Sequence, residues 1–113
     1  MKTLNELKAN DRRAVDEFRG RIVDFLGGRL CSLRLFGSKV AGTDQEGSDI
    51  DIFIVTREVD AVVKSGILDI AFDINLKYGV YISPRVVSLE LFKNSAFHAT
   101  PFIQNVEKDN LVL

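Results

Sequence analysis

Two aspartates, Asp49 and Asp51, stand one residue apart in an apolar stretch that continues through Ile52, Phe53, Ile54 and Val55. Ten residues separate Asp49 from a Gly-Ser pair, Gly37-Ser38. The run reads as a strand, and aspartate is depleted in strands, so two of them in one strand need a reason. A strand repeats every two residues, so Asp49 and Asp51 leave one face while Ile50 and Ile52 leave the other. Their carboxylates would lie about 7 Å apart by strand rise, close enough to repel unless a cation comes between them. A hard divalent ion, Mg²⁺ or Mn²⁺, suits paired carboxylate oxygens. Gly37-Ser38 supplies the complement, a tight turn whose backbone N–H groups and hydroxyl suit phosphate. Metal-binding carboxylates beside a phosphate cradle point to phosphoryl or nucleotidyl transfer.

The rest of the chain supplies a frame for that strand. Thr3-x-x-Glu6 is a capping-box pattern, and Leu4, Leu7, Val15, Phe18, Ile22 and Phe25 follow at helical spacing. The spacing predicts one amphipathic helix from Leu4 to about Leu26, interrupted near Asn10-Asp11 and ended by Gly27-Gly28. Leu30 to Phe36 reads as the first strand, Ser38 to Ala41 as a helical turn stopped by Gly42, and Thr43 to Gly47 as a polar loop. The second strand runs from Ser48 to Val55; its far half is continuously apolar, as in a central strand covered on both faces. Thr56 is placed as N-cap of a long helix reaching Lys77, closed by Tyr78-Gly79, with Val59, Val62, Val63, Ile67, Ile70, Ala71 and Ile74 on its apolar side. Val80 to Ser88 reads as a third strand, which Pro84 confines to an edge or a bulge. Ser88 caps a short helix through Phe92, and Thr100-Pro101 opens a last helix to about Glu107. The expected fold is α/β (α+β), a small mixed sheet packed by helices, in the order α-β-(short α)-β-α-β-α-α.

Composition narrows the function classes. At 113 residues one domain is expected, 1–113, large enough to bury roughly two thirds of its unfolded surface. A net charge of −1 gives no general attraction to nucleic acid, which argues against a template-dependent polymerase. The single cysteine, Cys31, excludes an intrachain disulfide, fits a reducing cytoplasm, and reads as a buried structural thiol in a strand. No signal peptide or membrane-spanning apolar run is present, so a cytoplasmic location is expected.

The G-S-x10-D-x-D pattern resembles the signature of DNA polymerase β-like nucleotidyltransferases, especially the minimal, single-domain kind of prokaryotes. The resemblance extends from the strand before Gly37 to the closing Thr-Pro-Phe helix. Its motif combines the apolar strand Leu30–Phe36, Gly-Ser, a small-residue turn ending at Gly42, Ser-Asp-Ile-Asp and the apolar continuation Ile52–Val55. It implies transfer of a nucleoside monophosphate, as AMP from ATP or the equivalent from another NTP, to a hydroxyl acceptor. It further implies Mg²⁺ or Mn²⁺ held by Asp49 and Asp51, and often a helical HEPN-type partner against which the chain acts as an antitoxin.

On that reading Asp49 and Asp51 are the catalytic metal ligands, and Gly37, Ser38, Lys39 and Ser48 bind nucleotide phosphate. Each has a plainer alternative. Gly37-Ser38 is also an ordinary strand-to-helix turn, Lys39 a solvated lysine, and Ser48 a hydrogen bonder at the strand start. His98 reads as a surface or cap residue. The family often has Gly-Ser-Arg-x-Arg-Gly, where this chain has Lys39 and Ala41 at the arginine positions. Active members of the superfamily also place a third carboxylate on the third strand. Neither phase of Val80–Ser88 carries an acid, and Glu90 follows on the next helix. That departure keeps a competing function open, a non-catalytic nucleotide-binding or antitoxin-like interaction module. Transfer to a small molecule such as an aminoglycoside is a third reading, for which 113 residues leave no separate acceptor domain.

Overall fold

The computed structural model describes residues 3–42 and 49–113. Ser48 and the expected loop Thr43–Gly47 lie outside the described residues.

The N-terminal helix breaks earlier than its pattern suggested. A 3-10 turn, Leu4–Glu6, is followed by α1, Ala9–Leu26. Thr3 does not cap the backbone; its hydroxyl meets the Glu6 carboxylate at 3.3 Å. Leu7 and Lys8 between the two helices are extended, and this bend lets Leu7 turn into the core. From there α1 buries Ala14, Val15, Phe18, Ile22 and Leu26, a stripe at three- and four-residue spacing.

The sheet is formed by β1 (Leu30–Phe36), β2 (Ile50–Thr56), β3 (Ile82–Ser88) and β4 (Asn110–Val112), in the order β3-β2-β1-β4. β1 pairs antiparallel with β2 and β4, while β3 is parallel to β2. A parallel pair needs a crossover, here α3, Ala61–Tyr78. Leu33 and Leu35 lie across from Ile54 and Ile52, and this face packs on α1 and α3 as the larger core. The opposite face carries Phe36, Phe53 and Val55, covered by Ile103 and Val106 of α6, Pro101–Lys108. The remaining elements are α2, Ser38–Ala41, and two short helices, α4 (Leu89–Lys93) and α5 (Ser95–His98).

β3 is an edge strand, as Pro84 required. Ile50 N–H donates to the Tyr81 carbonyl at 2.8 Å, which sets the odd-numbered residues of the strand against β2. Ile82, Pro84 and Val86 therefore turn their backbone groups outward, so the donor that proline lacks would have faced no neighbour. The Asn75 side chain accepts from Ile82 N–H at 2.7 Å.

Three expectations need correction. Thr56 ends β2, fully buried, with its hydroxyl on the Glu58 carbonyl; the α3 cap is Asp60, which accepts from Val63 N–H at 2.8 Å. The central strand simply holds Thr56 longer than its cap propensity suggested. Cys31 is exposed, not buried. The β1–β2 register shifts between Leu30 and Ser32, leaving Cys31 as the extra residue of a bulge, turned away from the core. Finally, α5 and β4 were not foreseen. Ser88 and Thr100 do cap α4 and α6 through their hydroxyls, as expected.

Candidate active site

Asp51 sits mid-sheet, across from Phe36 on β1 and from Ser83 on β3. Gly37, directly after Phe36, has φ +82°, a conformation L side chains rarely adopt. A Cβ built there would stand 2.3 Å from Asp51 Oδ2, so only glycine lets the chain turn over this carboxylate. The turn then enters α2, with Val40 and Ala41 N–H groups both donating to the Gly37 carbonyl at 3.1 and 3.0 Å. Ser38, half-buried, opens it. Gly-Ser and Asp-x-Asp, distant in sequence, are thus one piece of surface.

Asp49 stands one residue ahead of β2, which begins at Ile50. It is exposed, whereas Asp51 is half-buried. Burial pushes the Asp51 pKa above the ordinary aspartate value, Asp49's charge raises it further, and Arg85 draws it back. A half-buried carboxylate whose ionisation is disfavoured by burial and by a neighbouring charge is the electrostatic condition a cation relieves.

Lys39 is no solvated lysine: it is 4% exposed, and its ammonium lies 3.0 Å from Asp11 Oδ2 on α1. The pair ties the Gly-Ser turn to the N-terminal helix. On β3, where a third carboxylate was sought, the residue facing Asp51 is Ser83, and Arg85 follows two positions along on the same face. Glu90 is exposed in the first turn of α4.

Residues 15–113 match the family model of the nucleotidyltransferase domain. The chain belongs to that family. Among its relatives is a protein of Methanocaldococcus jannaschii, provisionally named a protein adenylyltransferase, 37% identical over 107 residues that span 92% of this chain and 98% of the relative. A second protein from the same organism with the same kind of name is 33% identical over 94 residues, 82% and 88% of the two chains. The fold is similar to spectinomycin adenyltransferase from Enterococcus faecialis, crystallised with ATP and spectinomycin. The TM-score is 0.68 at 15% identity, over 89% of this chain and 54% of that one. It is also similar to a toxin-antitoxin structure with AMP-PNP, with a TM-score of 0.56 at 20% identity over 84% and 68% of the two chains.

In this nucleotidyltransferase domain the described residues hold no group of three or more His, Cys, Asp and Glu side chains able to bind a metal. The oxygen pair Asp49 and Asp51 would suit a hard divalent ion as its two protein ligands. His98 is structural. Its Nδ1 lies 2.8 Å from Glu107 Oε1 and its Nε2 meets the Phe92 carbonyl, joining α4, α5 and α6.

Two cavities adjoin neighbours of Asp51, one at Ser83 and one at Gly37. One, about 580 Å³, wraps the β3 edge and is lined by Phe72, Asn75, Tyr81, Ser83 and Arg85 among others. The other, about 280 Å³, lies against the Gly-Ser turn, lined by Phe36, Gly37, Ala41, Asn105, Lys108 and Asp109. Lys108 drew no notice in the sequence, because it reaches Gly37 only through the pairing of β4 with β1.

No described helix is long and apolar enough to cross a membrane.

Proposed function

We propose that the chain transfers AMP from ATP to a hydroxyl group on a partner protein. Asp49 and Asp51 hold a divalent ion, Mg²⁺ or Mn²⁺, and Gly37 and Ser38 receive the triphosphate. The observation that carries this is the contact of Gly37 with Asp51, which brings a phosphate-sized turn and an ion-binding carboxylate onto one patch. A bound divalent ion supplies charge neutralisation between carboxylates and phosphates. The acceptor oxygen forms a bond to the α-phosphorus as its proton passes to solvent, the bond from that phosphorus to the bridging oxygen breaks, and pyrophosphate leaves with that bond's electron pair. The Ser38 hydroxyl donates to a phosphate oxygen, with Ser48 as a further phosphate-binding residue.

The names of the two Methanocaldococcus relatives support adenylyl transfer to protein. A protein acceptor is also supported by the surface of α3. Val62, Leu68, Phe72 and Leu76 are 71%, 58%, 63% and 70% exposed, an apolar stripe of the kind that marks protein interfaces. Leu68 and Phe72 line the same cavity as Ser83, the β3 residue paired with Asp51. A helical HEPN-type protein, with this chain as its antitoxin, is the partner we propose.

Labelled ATP with a co-expressed helical HEPN-type protein from the same organism tests the reading. Wild type should label the partner in the presence of Mg²⁺ or Mn²⁺ and Asp51→Asn should not; a label that survives Asp51→Asn rejects the site. A second reading, a nucleotide-binding module without transfer, is favoured by Ser83 and Arg85 standing where an acid would take the acceptor's proton. Metal-dependent ATP binding with no transfer to any partner would select it.

A further inference from the structure

We infer that Lys108, at the end of α6, is a triphosphate-binding residue, holding the β- and γ-phosphates over the Gly37 turn with Asn105 beside it. This rests on the proposed triphosphate site and extends it to an element far away in sequence.

Charge carries the first part of the argument. ATP brings about four negative charges, and Asp49 and Asp51 add two more, so one divalent ion leaves a large excess that the chain must meet. The Lys39 ammonium already lies against Asp11. Residues 43–48 read Thr-Asp-Gln-Glu-Gly-Ser and contain no cation. Among the described residues lining the two cavities, the cations are Arg85 on the β3 side and Lys108 on the Gly37 side, both exposed.

Geometry then separates the two. In an in-line displacement the attacking and leaving oxygens stand on opposite sides of the phosphorus. With the triphosphate tail on Gly37, the leaving side is that of β1 and β4, and the attacking side is that of β3. Lys108 belongs to the first and Arg85 to the second.

The fold fixes Lys108 there. Asn110 on β4 pairs with Phe36, the residue before Gly37, so the last turn of α6 hangs beside the turn. Asn110 Nδ2 donates to the Val106 carbonyl at 2.9 Å and Arg34 donates to Asn110 Oδ1 at 3.4 Å, which pins the junction. The cavity left between them, about 280 Å³, has Gly37, Ala41, Asn105 and Lys108 on its walls. Asp109 shares that wall, so removing Lys108 leaves negative charge facing the phosphates.

Calorimetric titration with MgATP, MgADP and MgAMP tests the assignment on wild type, Lys108→Gln, Lys108→Arg and the exposed-lysine control Lys93→Gln. Wild type should bind ATP more tightly than ADP. Lys108→Gln should lower ATP affinity about 10- to 100-fold, the range for a hydrogen bond to a charged group. It should narrow the ATP-to-ADP ratio at an unchanged melting temperature, while Lys108→Arg keeps most of the affinity and Lys93→Gln all of it. Equal ATP affinity in Lys108→Gln and wild type overturns the role of Lys108 and leaves the proposed function standing. An equal loss for all three nucleotides also overturns it, because the effect would then not belong to the tail. Wild type that binds no MgATP, or binds it as well as Asp51→Asn does, overturns the site and this assignment together.

Discussion

The two faces of β2 come from the same seven residues and do different work. Ile50, Ile52 and Ile54 are sealed under α1 and α3, an aliphatic layer that gives way to the buried Thr56 at the strand's end. The other face is graded along its length. Val55 and Phe53 lie deep under α6, against Phe36, Phe92 and Phe102; Asp51 is half-buried, and Asp49, just beyond the strand, is exposed. The aliphatic face anchors the strand, whereas the graded face holds a carboxylate at the boundary between packed rings and water. A carboxylate in that position is fixed in direction by what lies beneath it and partly stripped of solvent, which strengthens its interaction with a cation.

If the aromatic half is a true core, Phe53→Ala should cost about 3–5 kcal/mol of stability in denaturant unfolding. By comparison, Ile54→Val on the aliphatic face should cost only about 0.5–1.5 kcal/mol and leave transfer unchanged. A Phe53→Ala loss below about 1 kcal/mol would mean that the ring cluster is loosely packed and the contrast is misdrawn. Next in size is Asp51→Asn, expected to cut transfer at least about a hundredfold, since the lost charge stabilisation is worth several kcal/mol. Transfer kinetics in Asp51→Asn and Ile54→Val, measured side by side, would show whether chemistry is confined to one face.

Stability against pH is a smaller test of the same gradient. Burial and Asp49 raise the folded-state pKa of Asp51 above its unfolded value. The metal-free folded chain therefore holds that proton more tightly than the unfolded chain does. The stabilisation is full below the unfolded aspartate pKa and is lost as pH rises through the raised one. In chelator, Asp51→Asn, which cannot ionise, should melt above wild type at pH 7, and the gap should close as the pH falls below the ordinary aspartate range. A gap that is constant with pH would remove the electrostatic strain from the account. The smallest effect belongs to Cys31→Ser, on the bulge and on neither face, which should change stability by no more than about 0.5 kcal/mol.

How far the sequence could be read follows from the same contrast. The turn at Gly37 and the strand that carries Asp51 were legible because their signals are local: a glycine with a serine, and an apolar run. The edge position of β3 was legible in Pro84 alone. Three residues, Asn110–Val112, carry too little periodicity to announce a strand, and β4 exists because β1 offers it an edge. With β4 went the position of Lys108. Cys31 misled because apolar alternation marks a strand and does not reveal a bulge. Thr56 and Asp60 are both good caps, and the pull of the buried central strand chose between them. Lys39 was expected in water because its partner, Asp11, comes from the N-terminal helix, a contact that no local pattern encodes.

The bond from Ile82 N–H to Asn75 has a consequence for assembly. On the outer side of β3 the first donor is already engaged and the second, at Pro84, does not exist. An incoming strand would find its register broken at the outset, with donors offered only further along, at Val86 and Ser88. This happens beside the apolar stripe of α3, where a sticky helix next to an open sheet edge would otherwise invite copy after copy to zip together. The sheet is thereby hindered from extending past β3.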